Sequence, residues 1–167
     1  NTTGDIFISL PGLKNVNITN NNKFYQFNHA VQINTSPQYA TNIFFFINIF
    51  DTYTRPVSED QYFGTAVLVI NKGASVQKPK RNFTITNNTI INPRIGIAVL
   101  NHNYIHIGFD PVNNITSANT IQYNLTTAPG DYTAGMLLQN CGNARVVGNT
   151  ISNSNTLTGI TNFRGID

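Results

Sequence analysis

Asn82-Phe83-Thr84-Ile85-Thr86-Asn87-Asn88-Thr89-Ile90-Ile91-Asn92, followed shortly by Gly96-Ile97-Ala98-Val99, shows the chain's repeating unit at its clearest. Phe83 and Ile85 alternate with polar neighbours, as in a half-buried strand, and an Asn pair suited to a turn ends the run. A second short apolar segment follows, then a small residue and a third. The unit recurs. Asn-Thr-Ile stands again at Asn119-Thr120-Ile121 and Asn149-Thr150-Ile151, with looser copies at Asn22-Lys23-Phe24 and Asn48-Ile49-Phe50. A large apolar residue precedes each Asn: Ile18, Phe45, Ile85, Ile115 and Val146. In four copies a partner two positions earlier continues the alternation, namely Val16, Ile43, Phe83 and the polar Asn113. After each turn comes a small residue leading an apolar run, at Ala30, Gly64, Gly96, Gly135 and Gly159.

Successive asparagines of the set Asn22, Asn48, Asn88, Asn119 and Asn149 are separated by roughly 26, 40, 31 and 30 residues, a range that marks solenoids, propellers or arrays. No copy shows a 3.6-residue apolar period, which excludes helical repeats. Propeller blades need about 40 or more residues and four antiparallel strands each, and the six-residue beat of a left-handed hexapeptide helix is missing. The pattern therefore predicts an all-β chain, a right-handed parallel β-helix solenoid of about five coils. In such a solenoid equivalent positions stack about 4.8 Å apart. Ile, Val and Phe fill the bore. The five asparagines form a structural column at a tight corner, where Asn tolerates the left-handed backbone and stacked amides exchange hydrogen bonds.

On these residues the chain, from about Val16 to Ile160, resembles the PbH1-type parallel β-helix repeats of the pectate-lyase-like superfamily. That resemblance implies the fold and a range of functions, since relatives of this shape include polysaccharide lyases, glycoside hydrolases, phage tailspikes, adhesins and inert scaffolds. For a lyase it implies calcium-binding carboxylates beside an Arg or Lys base, and Arg55 is the nearby candidate. Outside that reading no cofactor and no metal is expected.

With the columns aligned, two insertions leave the same corner, Asp51 to Phe63 and Gln122 to Ala134. Lying two coils apart, they emerge roughly 10 Å from one another and line a shared flank. Tyr53, Glu59, Tyr62, Tyr123 and Tyr132 are the candidate ligand-binding residues there, because Tyr faces stack on sugar rings and carboxylates accept sugar hydroxyls. Glycosidases hold two carboxyl groups about 5 to 9 Å apart, and the candidates are Asp51, Glu59, Asp60 and Asp131, with Arg55 as the base of the lyase reading. The acid supply is small and sits in loops, so catalysis is not the leading expectation. A third irregularity, Leu100 to Val112, contains His102, His106 and Asp110. The alternation Tyr104-Ile105-His106-Ile107 makes His106 a solvent-facing strand residue and not a metal ligand.

Charged residues are 10% of the chain and hydrophobic residues 40%, so the disorder signature is absent and residues 1–167 read as one folded domain. The net charge of +3 comes from few groups. Its one cluster, Lys72, Lys78, Lys80 and Arg81, lacks the aromatic interleaving of a nucleic-acid groove and reads as a solvated loop. No apolar run reaches the ~18 residues of a membrane span, and Ile43 to Ile49 reads as a buried strand. Cys141 is the one cysteine, structural and within a turn.

Sequons occur at Asn1, Asn17, Asn34, Asn82, Asn87, Asn114 and Asn124. Of these, Asn17, Asn34, Asn82, Asn114 and Asn124 are the glycosylation candidates. The chain opens without Met and closes without a capping helix, so it reads as a fragment of a longer protein. Its exposed strand edges then require further segments of the same chain or homo-oligomer partners. The leading expectation is a rigid segment of an extracellular or virion-surface appendage or adhesin, with polysaccharide or surface glycan as partner and neither nucleic acid nor a membrane span. A polysaccharide-cleaving lyase or glycoside hydrolase, and a purely structural scaffold, are the alternatives.

Overall fold

The computed structural model describes residues 2–3, 6–8, 14–18, 23–25, 29–35, 41–46, 49–51, 65–71, 80–124, 133–154 and 163–166. Among these the chain is all-β, with no helix. The strands run β1 (Thr2–Thr3), β2 (Ile6–Ile8), β3 (Lys14–Ile18), β4 (Lys23–Tyr25), β5 (His29–Thr35), β6 (Thr41–Phe46), β7 (Ile49–Asp51), β8 (Thr65–Asn71) and β9 (Lys80–Thr86). They continue as β10 (Thr89–Ile91), β11 (Ile95–Leu100), β12 (Asn103–Ile107), β13 (Phe109–Asp110), β14 (Ile115–Thr116), β15 (Thr120–Tyr123), β16 (Thr133–Gln139), β17 (Gly142–Val146), β18 (Thr150–Asn153) and β19 (Phe163–Ile166).

The chain deals its strands to three sheets in strict rotation. Sheet A has the order β1-β4-β7-β10-β15-β18, sheet B β2-β5-β8-β11-β16-β19, and sheet C β3-β6-β9-β12-β17. Pairing within all three is parallel, as where Ile90 lies between Phe50 and Ile121. Parallel neighbours need a long crossover, and here the other two sheets supply it. One interruption breaks the rotation: β13 and β14 form an antiparallel hairpin between β12 and β15.

Register stacks like on like. Phe83 pairs with Ile105, Ile85 with Ile107 and Ile121 with Ile151. Val67, Ile97 and Met136 lie in file, as do Val69, Val99 and Leu138. These residues belong to one apolar cluster with Tyr123, in which the members from Val31 to Met136 are fully buried while Leu138, Val146 and Ile151 are partly so. Each fully buried aliphatic side chain contributes roughly 1.5 to 3 kcal/mol.

A Cβ built on Gly96 would meet the Ile121 side chain at 2.8 Å, so Gly96 faces the same interior as Ile97 beside it. The strand slips one step there. Its outward residues, Ile95, Ala98 and Leu100, join Leu68 in a second buried apolar cluster on the outer face of sheet B, with Ile70 and Leu137 against it. Buried on both faces, β11 reads as the unbroken apolar run Ile95–Leu100.

At this slip the register corrects two expected positions. Ala66, not Gly64, lies opposite Gly96, and Gly165, not Gly159, lies opposite Gly135. A Cβ on Gly135 would stand 2.7 Å from both the Gly165 carbonyl oxygen and Ile151 Cδ1. The small residue is thus required by close approach of the next pass and of the sheet A interior. A third correction concerns Ile115. The strand of sheet C in that pass is β12, carrying Ile105 and Ile107, while Ile115 belongs to the hairpin and is 53% exposed.

Polar side chains close the corners. From sheet C to sheet A, Asn119 Oδ1 accepts from Asn88 N (3.1 Å) and Asn88 Nδ2 (2.9 Å), and Asn149 Oδ1 accepts from Asn119 N (3.0 Å) and Asn119 Nδ2 (2.8 Å). The same amides donate to main-chain carbonyls, Asn88 to Thr86, Asn119 to Ile85 and Asn149 to Ile107. Asn22 and Asn48 lie outside the described residues. The ladder asparagines are not left-handed, contrary to expectation. The preceding residue carries that conformation at two of them, Asn87 (φ 54) and Gly148 (φ 69), which frees the ladder Asn to point its amide inward.

Two further polar corners were not foreseen. From sheet B to sheet C, Asn101 (φ 59) and Asn140 (φ 53) stack, with Asn140 Nδ2 donating to Asn101 Oδ1 at 2.8 Å. From sheet A to sheet B, Asn124 N donates to Asn92 Oδ1 at 2.7 Å and Ser154 Oγ to Asn124 Oδ1 at 2.9 Å.

Replacing Asn119 by Ala removes the acceptor that the buried Asn88 main-chain N–H and side-chain amide share, while the Ile85 carbonyl keeps its bond from the Gly108 N–H. A lost hydrogen bond costs about 0.5 to 1.5 kcal/mol, and more where burial keeps water out. Asn119→Ala is therefore expected to lower stability by about 1 to 2 kcal/mol, read as a shifted urea midpoint with an unchanged slope.

Candidate functional site

Three long connections leave one edge of sheet A. The strands β7, β15 and β18 end at Asp51, Tyr123 and Asn153, and the following strands begin only at Thr65, Thr133 and Phe163. Because β10 separates β7 from β15, the first two connections start roughly 10 Å apart, and β18 adds the third about 5 Å further on. The sequence spacing shows only two of them, because Gly159 imitates the small residue that register assigns to Gly165. The first bound shifts by one residue to 52–64 and the second tightens to 124–132, since Asp51, Gln122, Tyr123, Thr133 and Ala134 belong to strands.

Asp51 closes β7 in register with Tyr25 and Ile91, at the root of the first connection. Tyr53, Arg55, Glu59, Asp60, Tyr62, Asp131 and Tyr132 lie outside the described residues. Tyr123 does not belong with them. It is fully buried in the core, its hydroxyl donates to the Ala134 carbonyl at 3.0 Å, and burial pushes its phenol pKa up. A ring committed to the interior offers no face to a ligand.

The described residues carry a second polar constellation, on the outer face of sheet C. Here β12 presents Tyr104 and His106, and β17 presents Asn143 and Arg145, with His106 directly beside Arg145. Tyr104 (φ 57) and Asn143 (φ 51) are both left-handed, and the register of β12 on β9 shifts between Asn103 and Ile105. The positions form a bulge continued from one pass to the next. Asn adopts that backbone readily, whereas a bulky aromatic rarely does. Tyr104 is nevertheless exposed, at 38%.

The hairpin completes this face. It brings the buried Phe109 ring to 5.9 Å from His106, and the Arg145 guanidinium lies 3.4 Å over that ring, a cation–π contact. Asp110 fixes the hairpin turn. Its Oδ1 accepts from the N–H groups of Val112 (2.8 Å) and Asn113 (3.2 Å), and its Oδ2 from Asn113 Nδ2 (2.7 Å). Burial raises the Asp110 pKa, but these bonds outweigh it and hold the carboxyl below its ordinary value.

His106 Nδ1 is buried without a hydrogen-bond partner, and the ring is half-buried and not fully solvent-facing. His102 is buried and meets Phe83 edge-on at 4.8 Å. The two histidines therefore do not share a face, and among the described residues no group of three His, Cys, Asp or Glu could hold a metal ion.

Cys141 is half-buried at the corner between β16 and β17, its Sγ donating to the Val99 carbonyl at 3.2 Å. Among the sequons, Asn17, Asn34 and Asn82 fall within β3, β5 and β9. Asn114 is exposed in the hairpin turn at φ 54. Asn124 is exposed too, but its side-chain oxygen is held by Ser154. Lys80 and Arg81 open β9, whereas Lys72 and Lys78 lie outside the described residues. No helix among those residues is long and apolar enough to cross a membrane.

Tyr104, Phe109 and Arg145 were not singled out from sequence. Alternation in Tyr104-Ile105-His106-Ile107 and Ala144-Arg145-Val146 does show which side chains face outward. Which strands lie side by side, and the fold-back of Phe109, are tertiary facts.

His106 gives a test of this geometry. Burial, and secondarily the Arg145 charge, lower its pKa below the ordinary 6.5. The unfolded chain therefore binds that proton more tightly, and the His106 contribution to stability, complete above 6.5, is lost as pH falls below it. Arg145→Ala is expected to raise the imidazole titration midpoint, read by NMR, and to reduce the stability lost between about pH 7.5 and about pH 5.5.

No protein-family model, no curated protein and no solved structure matches the chain.

Proposed function

We propose that the chain is a segment of right-handed parallel β-helix, about five coils long, serving as a rigid part of an extracellular or virion-surface appendage that binds polysaccharide. The observation that carries the reading is the pairing rule: with the hairpin set aside, each strand of the three sheets bonds to the strands three places before and after it. A chain that coils about one axis generates that rule. Parallel crossovers are right-handed in nearly all known cases, which supports the hand. Polar ladders at all three corners support a stiff rod, because each corner is tied to its successor by side-chain hydrogen bonds.

The flank at the edge of sheet A is the proposed polysaccharide contact. Its three long connections, carrying Tyr53, Glu59, Tyr62, Asp131 and Tyr132, leave one side of the molecule.

Disulfide trapping tests the coiling. Thr89, Thr120 and Thr150 lie in file along sheet A, and adjacent Cα spacing of about 5 Å suits a disulfide while twice that does not. The pair Thr120→Cys with Thr150→Cys should cross-link on mild oxidation, and Thr89→Cys with Thr150→Cys should not. The reverse result would refute stacking.

A glycan array tests the contact. The parent chain should retain at least one polysaccharide, and the double change Tyr53→Ala with Tyr132→Ala should weaken retention about tenfold. Unchanged retention rejects the flank. Cleavage of the retained glycan that disappears on changing Asp51, Asp60 and Asp131 together to Asn would replace the adhesin reading with the enzyme.

A further inference from the structure

We propose that the outer face of sheet C at Arg145 binds the sulfate ester of an extracellular glycan. The inference rests on the glycan-binding reading above, but places a contact on a different sheet from the flank of long connections.

Four features converge. Arg145 is exposed, makes no ion pair among the described residues, and has its guanidinium laid over the Phe109 ring at 3.4 Å. Stacking fixes the guanidinium plane and leaves its N–H edges to bond an oxyanion. Phe109 is itself held by the hairpin, whose turn Asp110 pins with three hydrogen bonds, so this arrangement is built before any ligand arrives.

His106, the in-register neighbour of Arg145 on β12, adds a second donor. Its Nδ1 is buried without a partner, which favours the tautomer with the proton on Nε2, since an orphaned lone pair is better tolerated than an orphaned N–H. Donors from two directions suit a tetrahedral group with three terminal oxygens better than a planar carboxylate, which one guanidinium fork satisfies. Tyr104 lies two residues before His106 on the same face, roughly 7 Å away along the strand. Its ring is exposed despite a left-handed backbone that bulky residues rarely adopt. An exposed ring held at that conformational cost is placed to stack on the sugar that bears the ester.

The test is calorimetric titration of the full chain with a heparin-derived oligosaccharide, its chemically desulfated counterpart and inorganic sulfate. The sulfated oligosaccharide should bind at least about tenfold more tightly than either control. Arg145→Ala should remove most of that difference, and Arg145→Lys should recover only part of it because the planar fork is lost. Tyr104→Asn should weaken oligosaccharide binding while raising the urea midpoint, a pair of effects that a merely structural tyrosine would not give. Circular dichroism of each variant establishes that it is folded.

Equal binding of sulfated and desulfated oligosaccharide, or unchanged binding by folded Arg145→Ala, overturns the proposal. Inorganic sulfate binding as tightly as the oligosaccharide overturns its glycan half. A glycan retained through Tyr53 and Tyr132 with no response to Arg145→Ala leaves the flank standing and rejects this site alone, whereas no glycan retained at all rejects both.

Discussion

Main-chain hydrogen bonds join each strand of the three sheets to its parallel neighbours. A strand that bonds to the previous pass must be left, carried through two other sheets and re-entered in register, so each pass needs three corners where the ladder would otherwise lapse. The molecule meets this with main-chain bonds that continue around the bends, such as Thr120 N to the Asn88 carbonyl and Gly142 N to the His102 carbonyl. Side-chain amides satisfy what remains. A side chain serving a corner must both donate and accept toward the neighbouring passes, and Asn does so with a short, stiff amide. That requirement, beyond any bias of composition, is why Asn dominates the bends.

Packing follows from the same register. Because equivalent positions of successive passes lie side by side, apolar residues need only face like residues, and Ile, Val, Met and Phe replace one another down a column without altering the backbone. Where two elements approach closely, as at Gly96 and Gly135, the column is held to Ala or Gly and the alternation slips. Sheet B then carries apolar residues on both faces, while sheets A and C place Thr, Gln, His and Arg outward.

Departures from the rotation are where chemistry collects. Long connections concentrate at one edge of sheet A, and the hairpin lays an aromatic ring under a guanidinium on sheet C. Left-handed Tyr104 lies beside that cluster in a bulge that the next pass fills with Asn143. The same array of parallel strands carries both features, and neither interrupts the polar ladders at the corners.

Much of this was legible in the chain itself. Alternation in Phe83-Thr84-Ile85, the Asn-Thr-Ile copies and the absence of any helical period pointed to an all-β chain, because strand periodicity and corner chemistry are local properties. The unbroken run Ile95–Leu100 is also the mark of a strand buried on both faces. Tertiary structure alone decided the exact columns. Ala66 replaced Gly64, Gly165 replaced Gly159, and β12 displaced Ile115, since inserted residues shift apparent spacing without shifting register. It also decided that Tyr123 is core while Tyr104 is surface, and that His106, Phe109 and Arg145 meet. Those residues belong to different elements, and only the hydrogen-bonded register and the fold-back of the hairpin bring them together.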